Sequence, residues 1–373
     1  MGPAVGYLRL QGRVGADMSL LTGLPSTLHT NYRSDMQLLD SAFVRFWALA
    51  GLCVALLLPL LLTNFWTGIA NQVFIAIIGA LALNLLMGTT GQISLGHAGF
   101  IAAGAFTSAA LVTHFEAPIV VSLIAATILG GILGVVVGLP ALRLKGLYLA
   151  VSTLAAYFVI IVGLGQYQAT ISYGAGFTMP PASVFGLTIA SERSWFYLLL
   201  PITLGVLLIN VNWLRSAYGR AWMAIHHRDI SAESLGINAA AYKLLAFSAS
   251  TSLTCFAGAL WAYHTGFVSV EAFDFHMLIQ YLAIVIIGGL GSIVGCILGA
   301  VFVIVLPHLI SYATEAIPAL QGMGSKVFEL QIGVFGVIML LFLILEPRGL
   351  AGIWARVRLY FQLWPFKYRA WES

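Results

Sequence analysis

The sequence predicts an all-α, polytopic membrane protein of about eight to ten transmembrane helices, with both termini in the cytoplasm. Three observations carry that prediction. The first is composition: of 373 residues, 60% are hydrophobic and only 8% charged, where soluble domains are roughly a quarter charged. A chain of this size cannot hide so much apolar surface from water, so lipid must be its solvent. The second is run length, since the apolar runs approach the ~20 residues that a helix needs to cross a hydrocarbon core. They are continuous rather than alternating, which disfavours a transmembrane barrel. The third is where the charge falls. With the N-terminus inside, fifteen of the seventeen Lys and Arg lie in cytoplasmic segments, leaving only Arg193 and Lys326 outside. Glu116, Glu192, Glu271, Asp274, Glu315 and Glu329 mark the opposite face, which satisfies the positive-inside rule.

Residues 1–42 read as a cytoplasmic leader. They lack the apolar core of a cleavable signal peptide, and Gly2 is not followed by Ser or Thr at position six, so the myristoylation pattern fails. Met18 or Met36 is a candidate start. A membrane domain then occupies 43–350, with spans at about 44–62, 67–87, 93–114, 118–139, 147–165, 195–212 and 244–263. A glycine-rich run over 276–310 must cross twice, turning at Gly288-Gly289-Leu290-Gly291-Ser292, if both termini share a side; a last span covers 330–345. The segment 166–194, with Pro180-Pro181 and Glu192-Arg193, reads as a solvated connector on the far face. Residues 351–373 form a basic cytoplasmic tail.

Several classes of function are disfavoured. Cys53, Cys255 and Cys296 fall in apolar runs without CxxC or Cys/His spacing, so they read as small hydrophobes rather than metal ligands or disulfides. No GxxxxGK[ST] phosphate loop occurs, so any ATP must be bound elsewhere. HExxH and GxSxG are absent, which argues against an intramembrane enzyme. An ion-coupled secondary transporter normally buries ionisable residues at membrane depth, and the spans place Asp, Glu, Lys and Arg only at their edges. No nucleic-acid partner is expected.

The exception to this apolar chain is a polar island, residues 212–243, holding six charged side chains together with His226 and His227. Within its loop, 213–243, Asp229 is placed to cap a short helix running to Leu235, with Glu233 in its first turns and Gly236 as terminator. Trp222, Met223, Ile225, Ile230, Leu235 and Ile237 would then be apolar knobs at the membrane surface. They suit either docking into a soluble partner or lying among the headgroups.

Polar residues inside the spans also have two readings. Gly91, Gly96, Gly99 and Gly104 in one segment, and the glycines of 288–299 in another, fit either a paired-repeat substrate path or close helix packing. Ser152, Thr153 and Tyr157 on one helix, and Ser248, Ser250, Thr251, Ser252 and Thr254 on another, either bond to backbone and neighbouring helices or line a mildly polar path for a zwitterionic solute. His97, His264 and His308 read as interhelical hydrogen-bonding groups.

Four stretches in order resemble the membrane permeases of branched-chain amino acid ABC importers, of the LivM type. They are NLLMGTTGQISLGHAGFIAAGAF (84–106), RLKGLYLAVSTLA (143–155), the island's GRAWMAIHHRDISAESLGINAAAYKLLAFSAS, and GFVSVEAFDFHMLIQYLAIVIIGGLGSIVGCILGA (266–300) running on toward EPRGL (346–350). The resemblance spans about 67–352. It implies a second permease subunit, two cytoplasmic ATP-binding subunits that hold ATP and magnesium, and an external or periplasmic binding protein. This chain would itself hold no cofactor and would sit in the bacterial inner membrane. Arg220, Arg228, Asp229, Glu233, Leu235 and Gly236 match the family's ATPase-coupling loop, while His226-His227 stands where Arg is commoner. Gly91, Gln92, Ser94, Gly96 and His97 match its glycine-rich motif; with Ser152, Thr153, Tyr157, Ser248 and Thr251 they are the candidates for the translocation path. The implied cargo is a branched-chain amino acid, with urea, short amides or other amino acids as alternatives.

Overall fold

The computed structural model describes residues 42–144, 146–184, 187–316, 326–346 and 349–363. The leader with its candidate starts, Lys145, Arg348 and the tail beyond 363 lie outside the described residues, as do the side chains of Arg45, Glu315, Lys326 and Glu329. Two compact units divide at Thr63 and Asn64. The described part of the first is helix α1, Ala42–Leu61, which shows Val54, Leu57, Leu60 and Leu61 on its surface.

The second unit is helical, with two small β pairs. Helix α2 (Asn64–Asn84) runs into a π turn, Leu85–Thr89. Then follow α3 (His97–Phe115), α4 (Ile119–Ala141) and α5 (Leu147–Ser172). Strands β1 (Phe177–Thr178), β2 (Ala182–Val184) and β3 (Leu187–Ile189) precede α6 (Glu192–Arg215). The polar island folds as α7 (Ala217–His227) and α8 (Asp229–Ser234). Helix α9 (Ala239–Thr265), β4 (Phe267–Val268), α10 (Phe275–Gly288), α11 (Ile293–Ala316), α12 (Lys326–Leu345) and α13 (Gly349–Leu363) complete it. Among the described residues, eight helices are long and apolar enough to cross a membrane.

Local chemistry sets most of the helix starts. Ser191, Ser216, Asn238 and Asp274 each accept a hydrogen bond from a backbone N–H in the first turn of α6, α7, α9 and α10, satisfying a donor that the helix leaves open. The core then forms around α2, which is buried along nearly its whole length, and α9, which packs on α2, α3 and α4. Small residues allow the close approaches. On α4, Ala126, Gly130, Gly134 and Gly138 recur every fourth position and face Phe247, Thr251 and Cys255 of α9. The opposite face of α4 shows Val120, Ile124, Ile128, Ile132 and Val136, as a lipid-facing stripe should. A Cβ at Gly104 would run into the Cys255 carbonyl, and one at Gly258 into the Ile101 carbonyl.

The double crossing of 276–310 is present. Helices α10 and α11 are antiparallel, with Gly288 against Gly295 and Gly299 against Ile284, and they turn where glycines adopt φ of 109° at Gly289 and 79° at Gly291. Only glycine takes such conformations without steric cost.

Three expectations need correction. The span at 93–114 begins too early: residues 91–96 form an irregular loop, and the helix starts at His97. The segment 166–194 is more than a solvated connector. Helix α5 continues to Ser172, β1 pairs with β4, β2 pairs with β3, and Phe177 and Met179 are buried. The loop 213–243 is almost wholly helical, because Ser216 and Asn238 supply caps on either side of two short helices.

Candidate functional site

The island is anchored by its own residues first. Trp222, on α7, is 1% exposed and its indole Nε1 donates to the Tyr242 carbonyl at 2.9 Å. Ile225, Ala232 and Ala239 close a small apolar core beneath α7 and α8. Trp222 and Ile225 are therefore not the surface knobs that the sequence suggested; burying an indole whose N–H finds a carbonyl is the more stable use of both. Met223, Ile230 and Leu235 do project, the last two at 80% exposure. Ile237 is half-buried.

Asp229 does not cap α8. The cap position falls on Arg228, which makes no side-chain cap bond, and Asp229 opens the helix itself. Its carboxylate accepts instead from Lys243 Nζ at 2.6 Å, tying α8 to the first turn of α9. Gly236, at φ 85°, ends α8 as expected, with its N–H bonded to the Glu233 carbonyl and that of Ile237 to the Ala232 carbonyl. Arg220 is exposed and donates to the Arg215 carbonyl at 3.0 Å, while Arg228 and Glu233 are exposed as well.

The island sits on the glycine loop. Gln92 is buried, and its Nε2 donates to Thr90 Oγ1 at 3.0 Å and to the Lys243 carbonyl at 3.4 Å. A Cβ added at Gly91, whose φ is 68°, would come to 3.2 Å from His226 Nδ1. Thus His226 lies against a backbone that only glycine suits. Between loop and island is a cavity of about 540 Å³ whose walls include Gly91, Gln92, Leu144, His226, Asp229 and Lys243.

From there the loop leads inward. Ser94 is buried, the Leu95 N–H bonds Thr153 Oγ1 at 2.9 Å, and Gly96 and Gly99 pack onto the backbone at Thr153 and Tyr157. Tyr157 Oη donates to the Phe273 carbonyl at 3.1 Å. His97 is buried, with Nδ1 3.4 Å from Thr254 Oγ1, its ring 4.9 Å from that of Tyr281, and Nε2 without a partner. The structure therefore joins Gly91 and Gln92 to the island, and Ser94, Gly96, His97, Thr153 and Tyr157 into one strip between α3 and α5.

Other candidates are not brought into that strip. Ser152 is half-buried on α5. Ser248 Oγ donates to the Gly131 carbonyl, and Thr251 Oγ1 bonds back to Phe247 and Ser248, so both serve the contact of α9 with α4. The two glycine segments touch as well. A Cβ at Gly88 would run into the Gly291 backbone, and Asn84 Oδ1 accepts the Gly291 N–H at 2.8 Å.

Sequence reasoning missed Asn84, Tyr281 and the partnership of Lys243. It also missed a clamp at the opposite end. There Asn71 Nδ2 donates to Glu192 Oε2 at 2.8 Å, and His264 Nε2 lies 3.2 Å from the same oxygen. A polar Asn within an apolar run was the available signal for Asn71 and Asn84. Near this end a second cavity, about 600 Å³, is walled by Glu116, Pro118, Thr178, Pro180, Pro181 and Tyr263. Among the described residues, no group of three or more His, Cys, Asp or Glu side chains could hold a metal ion.

The family described as branched-chain amino acid transport system / permease component matches residues 65–343. Among curated proteins, the chain is 32% identical to the high-affinity branched-chain amino acid transport system permease protein LivM of Salmonella typhimurium, over 82% of this chain and 74% of that one. Its Escherichia coli counterpart of the same name gives the same identity and coverage. A probable branched-chain amino acid transport permease protein LivM of Methanocaldococcus jannaschii is 23% identical over 62% of this chain and 68% of its own length. No solved structure matches the chain significantly. With a matched region that runs from the second helix through the twelfth and takes in both the glycine loop and the island seated on it, the chain belongs to the family of permease components of branched-chain amino acid transport systems.

Proposed function

We propose that this chain is a non-catalytic transmembrane subunit of an ATP-driven importer, and that α7 and α8 form its cytoplasmic coupling segment. One observation carries the reading. A charged segment is locked to the glycine loop through Lys243, Asp229 and Gln92, while Ile230 and Leu235 stand free on its outer side. A segment held rigidly on one side and offering apolar knobs on the other can transmit force from a docked partner to the helices that follow the loop.

The partner would be a pair of ATP-binding subunits carrying ATP and magnesium. A second permease subunit would complete the path, and a binding protein would deliver cargo at the end where the Pro180-Pro181 cavity lies. The charge distribution supports placing the island and both termini in the cytoplasm, with 43–350 as the permease domain between a leader and a basic tail. The relatives' names support a branched-chain amino acid as cargo, and a bacterial inner membrane as the setting. Urea, short amides or other amino acids are the second reading, since selectivity in such a system would rest largely with the binding protein.

The strip from Ser94 through His97 to Tyr157 would line the closed path. Its polar groups are satisfied by one another, except His97 Nε2, and an opening motion would expose them to a zwitterion. Replacing Glu233 and Gly236 together tests the coupling role: ATP hydrolysis should continue while uptake is lost and assembly is kept. Normal uptake by that double variant would remove the coupling role. Uptake that persists without any ATP-binding subunit would remove the importer reading itself.

A further inference from the structure

The cavity between the glycine loop and the island has a lining that docking does not explain. Its polar wall holds an ion pair, Lys243 Nζ to Asp229 Oδ2 at 2.6 Å, in which the two side chains are only 19% and 25% exposed. Gln92, itself buried, lies beside the pair. The remaining wall is apolar, with Leu142, Leu144 and Leu149 contributed by the end of α4 and the start of α5. At about 540 Å³ the space falls inside the roughly 300–1,000 Å³ usual for small-molecule sites.

An ion pair selects its ligand by charge type. A lone anion or cation meets one attractive and one repulsive partner, and must loosen the pair to bind well. A zwitterion presents both signs, so carboxylate to Lys243 and ammonium to Asp229 closes a ring of four alternating charges with the pair intact. The donors and acceptors suffice: an ammonium has three N–H groups and a carboxylate about four lone-pair sites. Arg228 and His226 also line the space and add positive charge, which favours a carboxylate but supplies nothing for an amine; Asp229 does that. The leucine wall then asks for an aliphatic side chain, because burying methyl and methylene groups there is favourable at roughly 25 cal/mol per Å².

We propose that this cavity is a cytoplasmic-side binding site for an aliphatic, zwitterionic α-amino acid, and that its occupancy slows the transport cycle. An occupant touches both the glycine loop and the coupling segment, so it holds together two elements whose separation would accompany coupling. The site thus lets accumulated product restrain its own import. The inference rests on the proposed importer reading for its consequence, while the binding itself rests on the cavity.

The test uses the complete transporter in vesicles with its ATP-binding subunits outward, and with binding protein and leucine in the lumen. ATP hydrolysis is followed as leucine is added outside. Saturating leucine should lower the rate about fivefold. Leucinamide, which keeps only the positive charge, and 4-methylpentanoate, which keeps only the negative one, should change it by less than about twofold. Leu144→Trp, which fills the apolar wall, should abolish the inhibition while basal hydrolysis and transport persist; Leu142→Phe serves the same purpose should L144W fail to assemble. The proposal is overturned if external leucine has no effect, if either single-charge analogue inhibits equally, or if wall-filling variants that still transport remain inhibited. Transport of lumenal leucine without inhibition removes this site and leaves the importer reading standing. Inhibition without leucine transport does the reverse, removing the cargo assignment and keeping the site.

Discussion

Gly104 and Gly205 are both helical glycines in this chain, yet they answer to different constraints. A Cβ at Gly104 has nowhere to go, because the Cys255 carbonyl of α9 occupies its place, whereas nothing lies within 4 Å of one at Gly205. Gly104→Val should therefore cost about 3 kcal/mol or more through forced separation of α3 and α9. Gly205→Ala should gain about 0.5–1 kcal/mol from helix propensity. Thermal unfolding of the purified protein in detergent would show the two shifts with opposite sign. The Asp229–Lys243 pair makes a second prediction. A double-mutant cycle through Asp229→Asn and Lys243→Met should give a coupling of about 1–3 kcal/mol, because the pair is partly withdrawn from water. Equal and additive losses would show that it contributes nothing. The sequence revealed Asp229 as a first-turn acid but not its partner, since fourteen residues of separation along the chain say nothing about proximity. His226, too, is accounted for only in three dimensions, by its seat against Gly91.

At the scale of the element, α8 illustrates how six residues are held to a single position. Apolar contacts through Ala232 fix its inner side, Lys243 fixes its start, and Gly236 turns the chain away at its end. Ile230 and Leu235 take no part in that anchoring. Replacing both with Glu should leave the subunit's melting temperature within a few degrees of the parent, since exposed substitutions rarely exceed about 0.5 kcal/mol. Co-purification with the ATP-binding subunits should fall by about tenfold or more. Loss of the fold itself would show that the two side chains are structural. The element boundaries also show where pattern reading stops. Residues 91–96 are apolar enough to extend α3, but paired glycines and the buried Gln92 make a loop there instead. The crossing pattern of 276–310 was legible because a run of glycines interrupts it. The strands were not, as two- and three-residue pairings carry too few residues for an alternating signal.

Taken as a whole, the molecule has charged or polar fastenings at both ends and a helical core between. At the end away from the island, Asn71, Glu192 and His264 link α2, α6 and α9. Asn71→Leu should lower stability by about 1–3 kcal/mol, because it leaves a carboxylate short of its donor; unchanged melting would show that solvent takes over the role. The architecture was readable from hydropathy and charge because the bilayer demands both. The site was readable only in part, because its residues come from segments as far apart as Gln92 and Lys243.

The π turn at Leu85–Thr89 has a consequence for length rather than chemistry. It accommodates one residue more than an α-helix would over the same rise, and Thr89 and Thr90 hydroxyls bond back to the Leu85 and Leu86 carbonyls to hold it. Deleting one residue there would let α2 wind regularly, which rotates everything beyond by roughly 100°. Gly88 would swing away from Gly291, and Gly91 from His226. A shortened variant should thus remain helical and inserted by circular dichroism yet be unable to import. Spacing along the chain, at this one place, is as much a part of the machinery as any side chain.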